Sequence, residues 1–553
     1  MTDAKTPSDQ PLMGRLSRRA ALRKGAAAAV GTALLGSPAL AQKAPEPIVK
    51  TGAGQVKGRL TRRVYVFKGI PYGASTAGAA RFLAPAKPKP WTEIKEVAQN
   101  GQQCPQLPLA GGLLTNEAVQ LLEGAFEAPT NSGEDCLSVN VYSPVPVGDG
   151  KKRPVFVWLH GGGFTSGSGG ANWYDGSNLT RKNDVVVVTV NHRLNVFGHL
   201  YLADVAPKYA ESGNVGMLDI VAALQWVKDN IAGFGGDPGN VTIAGESGGG
   251  MKVSVLMAMP AARGLFHKAV VMSGSALRAT PKEAASKATA AFLQELGLKK
   301  EQVDQLQTLP KEKLLAALAA VQKQGHEFGP VVDGKALPGH PFDPQAPAIA
   351  ADIPMMIGYC KDESRLFLAG APVDAASLPA QVKQWLQTDD AKAGQLIDAY
   401  KKAMPNASPG DLLFAITGDQ LRIWALTQAE RKVALKRQTA VYVYEFAWEA
   451  PAFNGKYKAT HAVDTPHFLD NADAAPGLGG SMPDRRRLAD RASKAIMTFA
   501  FTGSPSYIGL DMPKWPAYTP DKRSTMVFDH PDCKIVDDPG KETRLAFTKV
   551  IKV

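Results

Sequence analysis

The chain has 553 residues, of which 44% are hydrophobic and 21% charged, and a formal net charge of +12 at pH 7. The length permits a core far larger than that of a minimal binding module. Setting aside the six Lys/Arg and two Asp/Glu of residues 1–41 leaves an excess of eight positive charges, spread along the chain. Clusters such as Arg485-Arg486-Arg487, Arg431-Lys432 and Lys436-Arg437 sit on helix-like polar faces, where they read as solvation, and a nucleic-acid partner is not expected.

Residues 1–41 form a segment apart. A polar start leads into Ser17-Arg18-Arg19-Ala20-Ala21-Leu22-Arg23-Lys24, an Ala/Gly/Leu stretch from Gly25 to Leu35, and Ala39-Leu40-Ala41. This is the pattern of a twin-arginine export signal, so the mature protein is expected to be periplasmic or extracellular and to form one domain over residues 42–553. The apolar stretch is too short and too Ala-rich for a spanning helix, so no integral membrane span is expected.

From there, apolar strand-like runs alternate with helical stretches. The runs are Val155 to Leu159, Val185 to Val190, Val241 to Ala244, Lys268 to Met272, Ile353 to Tyr359 and Val441 to Phe446. Such alternation predicts an α/β fold with a mostly parallel central sheet and helices on both faces. Leu218, Val221, Leu224, Val227 and Ile231 recur at helical spacing and are expected in the core. The Ala/Leu/Lys/Gln-rich regions 280–324 and 375–438 are expected to be cap or peripheral helices above the sheet.

Two of the runs end in glycine-rich motifs. Val155 to Leu159 leads into His160-Gly161-Gly162-Gly163-Phe164, where consecutive glycines let backbone N–H groups approach a reacting carbonyl oxygen. Preorganised donors of that kind stabilise an oxyanion by about 3 to 4 kcal/mol each. The run Val241 to Ala244 leads into Gly245-Glu246-Ser247-Gly248-Gly249, followed by a helix-compatible run from Met251 to Met259. Strand, sharp turn and helix are the context in which a Gly-x-Ser-x-Gly sequence presents its serine as a nucleophile, and the pattern occurs once in this chain.

With these motifs the chain resembles the type B carboxylesterases of the α/β-hydrolase class, a group that includes cholinesterases and bacterial para-nitrobenzyl esterases. The resemblance also rests on Val66-Phe67-Lys68-Gly69-Ile70-Pro71-Tyr72-Gly73, Arg81-Phe82, Trp91, Cys104-Pro105-Gln106 and Glu134-Asp135-Cys136-Leu137. It continues through Asn191-His192-Arg193-Leu194, Gly213-Asn214, Asp219, Phe234-Gly235-Gly236-Asp237-Pro238, Pro330-Val331-Val332-Asp333-Gly334 and Trp515-Pro516, covering nearly everything after residue 47.

The resemblance implies a serine esterase acting through a covalent acyl-enzyme on a small-molecule ester, with no metal or cofactor. It implies Ser247 as nucleophile, Glu363 rather than its neighbour Asp362 as the acid, and His461 as the base. The oxyanion donors would be the N–H groups of Gly162, Gly163 and Gly248. His467 is expected to be a pocket-wall or hydrogen-bonded core histidine, His160 a brace for the oxyanion loop, and His192 and His199 packing or surface residues. A disulfide between Cys104 and Cys136 is implied as well, with Cys360 a buried thiol and Cys533 in a late polar turn.

Three departures and two alternatives stand beside this reading. Gly248 replaces the Ala usual after the serine, and Lys252 stands where a small or polar residue is usual, a lysine expected to snorkel to the helix surface, the alternative being a buried charge paired with a carboxylate near the site. The loop between Cys104 and Cys136 lacks the tryptophan that stacks on choline. It is aliphatic instead, with Leu107, Leu109, Leu113, Leu114, Leu121, Leu122 and Phe126, and an amphipathic helix from Glu117 to Gly124, and serves either as a lid or as plain covering. The alternatives are a catalytically silent, neuroligin-like scaffold and an amidase or peptidase using the same three residues. The oligomeric state is not legible.

Overall fold

A computed structural model describes residues 46–108, 114–126, 131–145, 149–370, 372–435, 439–479, 484–506, 509 and 511–553. Residues 1–41, read from the sequence as an export signal, lie outside the described residues, as do Leu109, Leu113 and the Lys436-Arg437 pair.

The central sheet is built from β1 (Arg59–Thr61), β2 (Val64–Pro71), β3 (Ser138–Pro144), β4 (Arg153–Leu159), β5 (Val186–Val190), β6 (Gly236–Glu246), β7 (Lys268–Met272), β8 (Met355–Cys360), β9 (Val441–Phe446), β10 (Ser524–Phe528) and β11 (Lys534–Asp537). These 11 strands lie in the order β11-β10-β9-β8-β7-β6-β4-β5-β3-β2-β1. Every pairing from β10 across to β5 is parallel, and antiparallel strands finish both edges. The mostly parallel sheet is what the alternation of apolar strands and helices predicts, and the whole is the α/β-hydrolase architecture that the family resemblance implies.

The strands are apolar almost throughout because both faces are covered. Val155, Val157 and Leu159 of β4 join one core cluster, together with Val241 and Ile243 of β6 and Met355 and Ile357 of β8. The intervening Phe156 and Trp158, Ala244, and Met356 and Cys360 join the cluster on the opposite face. Period-two alternation thus sorts one run of hydrophobic residues between two cores.

Helix α1 (Asn116–Leu121) is capped by Thr115, whose hydroxyl accepts from Ala118 N, and buries Leu121. Helix α2 (Val215–Asn230) buries Leu224 and Val227 as expected, but its most buried stripe also carries Met217, Ile220 and Ala223, leaving Leu218 and Val221 half-buried. Helix α3 (Gly248–Leu256) follows the serine, and α4 (Pro409–Val433) and α5 (Asp484–Thr502) are the longest elements near the C-terminus. The 375–438 region is only partly peripheral. Ala425, Leu426 and Ala429 of α4 enter the core cluster of the sheet, so the second half of this helix covers strands.

Nor are all the basic residues on solvated faces. Lys432 is buried and donates to Ala351 O at 3.0 Å, and Arg485 turns inward to pair with Asp473 at 2.7 Å.

Several motifs that carry the family resemblance prove to be ties between distant segments. Arg81 pairs with Glu134 at 2.5 Å, and Arg193 with Asp219 at 2.7 Å, both pairs buried. The side-chain amide of Asn214 donates to Val331 O and accepts from Val331 N, and it reaches Asp333 at 2.9 Å. Breaking one partner of such a buried pair leaves a charge unpaired, at a cost of about 3–5 kcal/mol.

The expected bridge between Cys104 and Cys136 is a correction. Both are free, buried thiols. The two are neighbours, and the hydrogen bond to Cys104 together with burial raises the Cys136 thiol well above its usual range. The Cys104 sulfur is further engaged by Leu194 N–H at 3.2 Å, so hydrogen bonding, not a covalent bond, joins this corner. Cys360 is buried as expected, and Cys533 is buried too, although its sequence neighbourhood is polar.

Candidate active site

The site lies at the C-terminal ends of β4, β6 and β8, where a parallel sheet presents its loops. At the end of β6, Ser247 takes φ 55° and ψ −123°, a strained conformation for a residue with a side chain. The turn is tight enough that a Cβ on Gly245 would sit 2.5 Å from the backbone carbon of Gly249. Only glycine fits on either side of the serine, which is left partly exposed while its neighbours are buried.

The glycine loop after β4 packs directly on this elbow. A Cβ on Gly248 would collide with the backbone N and O of Gly163, and one on Gly249 with the carbonyl of Leu159. The alanine usual at position 248 is thus excluded by the position of the loop. Gly162 and Gly163 adopt φ of 85° and 62°. Among the described residues neither donates its N–H to a protein acceptor, and Gly248 is the first residue of α3, whose N–H has no intrahelical partner. The outgoing end of the loop is pinned by Gln106, which accepts from Gly167 N at 2.7 Å, and by Asn195, which donates to Thr165 O at 3.1 Å. His160 braces the same backbone, its Nδ1 lying 2.9 Å from Gly161 O, and its ring stacks on His192 at 5.0 Å.

His461 and Glu363 meet, as expected, although they are carried by separate loops. Nδ1 of His461 is 2.5 Å from Glu363 Oε2, and the other carboxylate oxygen accepts from Cys360 N at 2.9 Å, fixing the acid from both sides. Asp362 faces away. It pairs with Arg365, its backbone N–H donates to Ala459 O and its carboxylate accepts from Ala459 N, and it lines a separate cleft of about 610 Å³ that includes none of Ser247, Glu363 and His461. Asp362 therefore anchors the segment that carries His461. The loop with α1 helps, as Glu117 pairs with Lys456 at 2.5 Å.

Ser247 and His461 are not hydrogen-bonded. Among the described residues Nε2 of His461 has no hydrogen-bond partner, and it lies 3.2 Å from Oε1 of Glu246, a residue the sequence does not single out. The strand period could have found it, because Glu246 follows Ala244 by two positions and so projects to the face on which the His461 loop packs. Asp464 lies close by, fully buried and accepting from Tyr444 OH at 2.7 Å.

These buried groups shift one another. Burial opposes charge on the His461 ring, but Glu246, Glu363 and Asp464 outweigh it and raise the imidazole to about 9. Burial, with Asp464 and Glu363 adding to it, lifts Glu246 to about 8 despite the opposing His461 ring. Burial likewise raises Asp464 to about 6, against the hydrogen bond from Tyr444.

Lys252 is the second correction. Its side chain is wholly buried instead of reaching the helix surface, and Nζ donates to His160 O at 2.9 Å. The glycines at 248–250 seat α3 so deeply against β4 and β7 that position 252 faces the interior. Burial lowers the ammonium to about 7, with Glu246 opposing.

Comparison with known proteins identifies the family. The model of the carboxylesterase family matches residues 45–548. The chain belongs to the carboxylesterase family. The para-nitrobenzyl esterase of Bacillus subtilis is 36% identical over 510 residues, covering 90% of this chain and 97% of the relative. The phenmedipham hydrolase of Pseudarthrobacter oxydans is 31% identical, covering 89% and 97%. Among solved structures, a thermophilic para-nitrobenzyl esterase superposes with a TM-score of 0.78 at 35% identity, covering 91% of this chain and all of the other. This carboxylesterase is a carboxylic-ester hydrolase of the α/β-hydrolase fold, and a small-molecule ester is its class of substrate. No helix among the described residues is long and apolar enough to cross a membrane.

Proposed function

We propose that the chain hydrolyses carboxylic esters with Ser247 as nucleophile, His461 as general base and Glu363 as the acid that orients the imidazole. The observation that carries this reading is the buried His461–Glu363 pair, with the Nε2 side of the ring turned toward the residue that immediately precedes Ser247. Glu363 accepts the Nδ1 proton, which leaves Nε2 as the lone-pair nitrogen able to take the proton of the serine hydroxyl. Catalytic hydrogen bonds of this kind often reach full alignment only in the complex with substrate. Ser247 then attacks the ester carbonyl, and the N–H groups of Gly162, Gly163 and Gly248 receive the developing oxyanion. His461 returns its proton to the leaving alcohol, and a water deprotonated by the same ring opens the acyl-enzyme.

The test is a fluorophosphonate label on the purified mature protein, with the modified peptide identified by mass spectrometry. The label is expected on Ser247 and absent from Ser247→Ala. A label elsewhere, or ester turnover surviving in Ser247→Ala, rejects the assignment. Comparing a para-nitrophenyl ester with the matching anilide separates esterase from amidase, the ester alone being expected to turn over.

The export reading is proposed alongside, supported by Ser17-Arg18-Arg19 and the short Ala-rich stretch that follows. Replacing Arg18 and Arg19 with lysine should hold the esterase activity in the cytoplasmic fraction. Unchanged fractionation would dispose of the signal.

A further inference from the structure

The oxyanion loop poses a mechanical problem. Three consecutive glycines lose more conformational freedom on ordering than any other tripeptide and have no side chains with which to anchor themselves. Its outgoing half is tied through Thr165, Gly167, Gln106 and Asn195. At its incoming end the carbonyl of His160 points into the protein, and the group that meets it is the ammonium of Lys252 at 2.9 Å.

We propose that Lys252 is a positioning residue for the oxyanion loop, gripping it at both ends from beneath. The same Nζ that holds His160 O lies 5.9 Å from the ring centroid of Phe164, the first residue after Gly161-Gly162-Gly163. One side chain therefore spans the whole glycine segment. This inference rests on the reading that the N–H groups of Gly162, Gly163 and Gly248 receive the oxyanion.

The helix supplies the reach. Gly249 abuts the carbonyls of Leu159 and His160, and Lys252, three positions on, stands on the same face of α3 one turn deeper. Stability alone does not account for a lysine here. Lys252 is fully buried and forms no salt bridge among the described residues, and an apolar side chain of similar length would spare the cost of desolvating a charge. Nor do the neighbouring histidines replace it as a cation. Burial and the Lys252 charge lower His160 and His192 well below the usual imidazole range, and burial chiefly lowers His199. Each of these rings engages a backbone carbonyl through Nδ1 and remains neutral. Glu246 faces the lysine electrostatically from the end of β6.

The test uses Lys252→Met, which keeps the length and removes the donor, and Lys252→Gln, which restores a neutral donor. For Lys252→Met, kcat on a para-nitrophenyl ester is expected to fall about 10- to 100-fold with KM within about twofold, while the melting temperature holds or rises. Lys252→Gln is expected to recover part of the lost kcat. A trifluoromethyl ketone, which adds to the serine and places an oxyanion in the hole, should bind Lys252→Met more weakly by the same factor as kcat falls. The corresponding methyl ketone should bind equally to both proteins. Full kcat in Lys252→Met, a rise in KM alone, or equal losses for both ketones would overturn the proposal. Failure of the underlying catalytic reading shows separately, as activity that persists in Ser247→Ala while Lys252→Met remains impaired.

Discussion

The two halves of the site are held by different physics. Around Ser247, backbone meets backbone: Gly248 lies on Gly163, Gly249 on Leu159, and Gly245 on Gly249, with no room for a methyl group at any of them. Around His461, side chains do the holding, as Glu363, Asp464 with Tyr444, and Glu246 surround one imidazole with three carboxylates. The Ser247 half is fixed by steric contact, and substitutions there are expected to act through displacement. The His461 half is fixed by electrostatics, and substitutions there are expected to act through proton affinity and tautomer.

The comparison breaks most visibly at Glu363. Glu363→Gln preserves shape but offers the Nδ1 side an amide in place of an acceptor-only carboxylate, so the ring is free to take the wrong tautomer. A loss of about 10⁴-fold in kcat is expected, with the fold intact by circular dichroism; a variant within tenfold of the parent would show that orientation of His461 does not depend on this acid. On the steric side, Gly248→Ala adds the methyl group that Gly163 excludes and should displace the loop. Its expected cost is about 10²-fold in kcat, the scale of one misplaced oxyanion donor; unchanged kcat would mean that the contact yields without disturbing the hole.

Glu246 sharpens the electrostatic half. Among the opposite charges that raise His461, Glu246 stands first, and in the proposed mechanism the ring must be neutral to accept the serine proton. Glu246→Gln should therefore move the acid limb of kcat/KM to lower pH, giving a several-fold gain relative to the parent on that limb. A limb that stays in place, measured on one ester across pH 5 to 9, would separate Glu246 from the base.

The same division governs what could be read from the sequence. The strands Lys268–Met272 and Val441–Phe446 and the glycine motifs were legible because strand periodicity and turn sterics are local properties. The pairing of Glu363 with His461 came through family resemblance, since nothing local brings together two residues 98 positions apart. Lys252 was misread because lysine usually keeps its ammonium in water, and its burial depends on the depth to which Gly249 and Gly250 let α3 sink. The half-buried Leu218 and Val221 show the same limit. Helical spacing fixed a stripe, but the orientation of α2 against both the sheet and its neighbours moved the buried centre toward Met217, Ile220 and Ala223.

The smallest effect is expected at His467, a buried ring outside the chemistry. Its Nδ1 lies 2.8 Å from Val463 O, and the rings of Phe446 and Trp448 flank it at 5.1 and 5.0 Å. Burial pushes its pKa down to about 4, with the Val463 carbonyl opposing, Arg485 adding to the depression and Asp484 countering it. Between that value and the ordinary 6.5 of an unfolded histidine, the unfolded chain takes up a proton that the folded chain refuses. Stability is therefore undiminished above about pH 6.5 and falls as the pH drops toward 4, by at most about 3 kcal/mol from this residue. In His467→Phe, whose ring suits its aromatic neighbours, the urea midpoint should decline less steeply between pH 6.5 and 4 while ester turnover at pH 8 stays the same. His199, lowered by burial to about 3, contributes a slope of the same sign, so the dependence should flatten without vanishing. An unaltered slope in His467→Phe would place the acid sensitivity of the fold elsewhere.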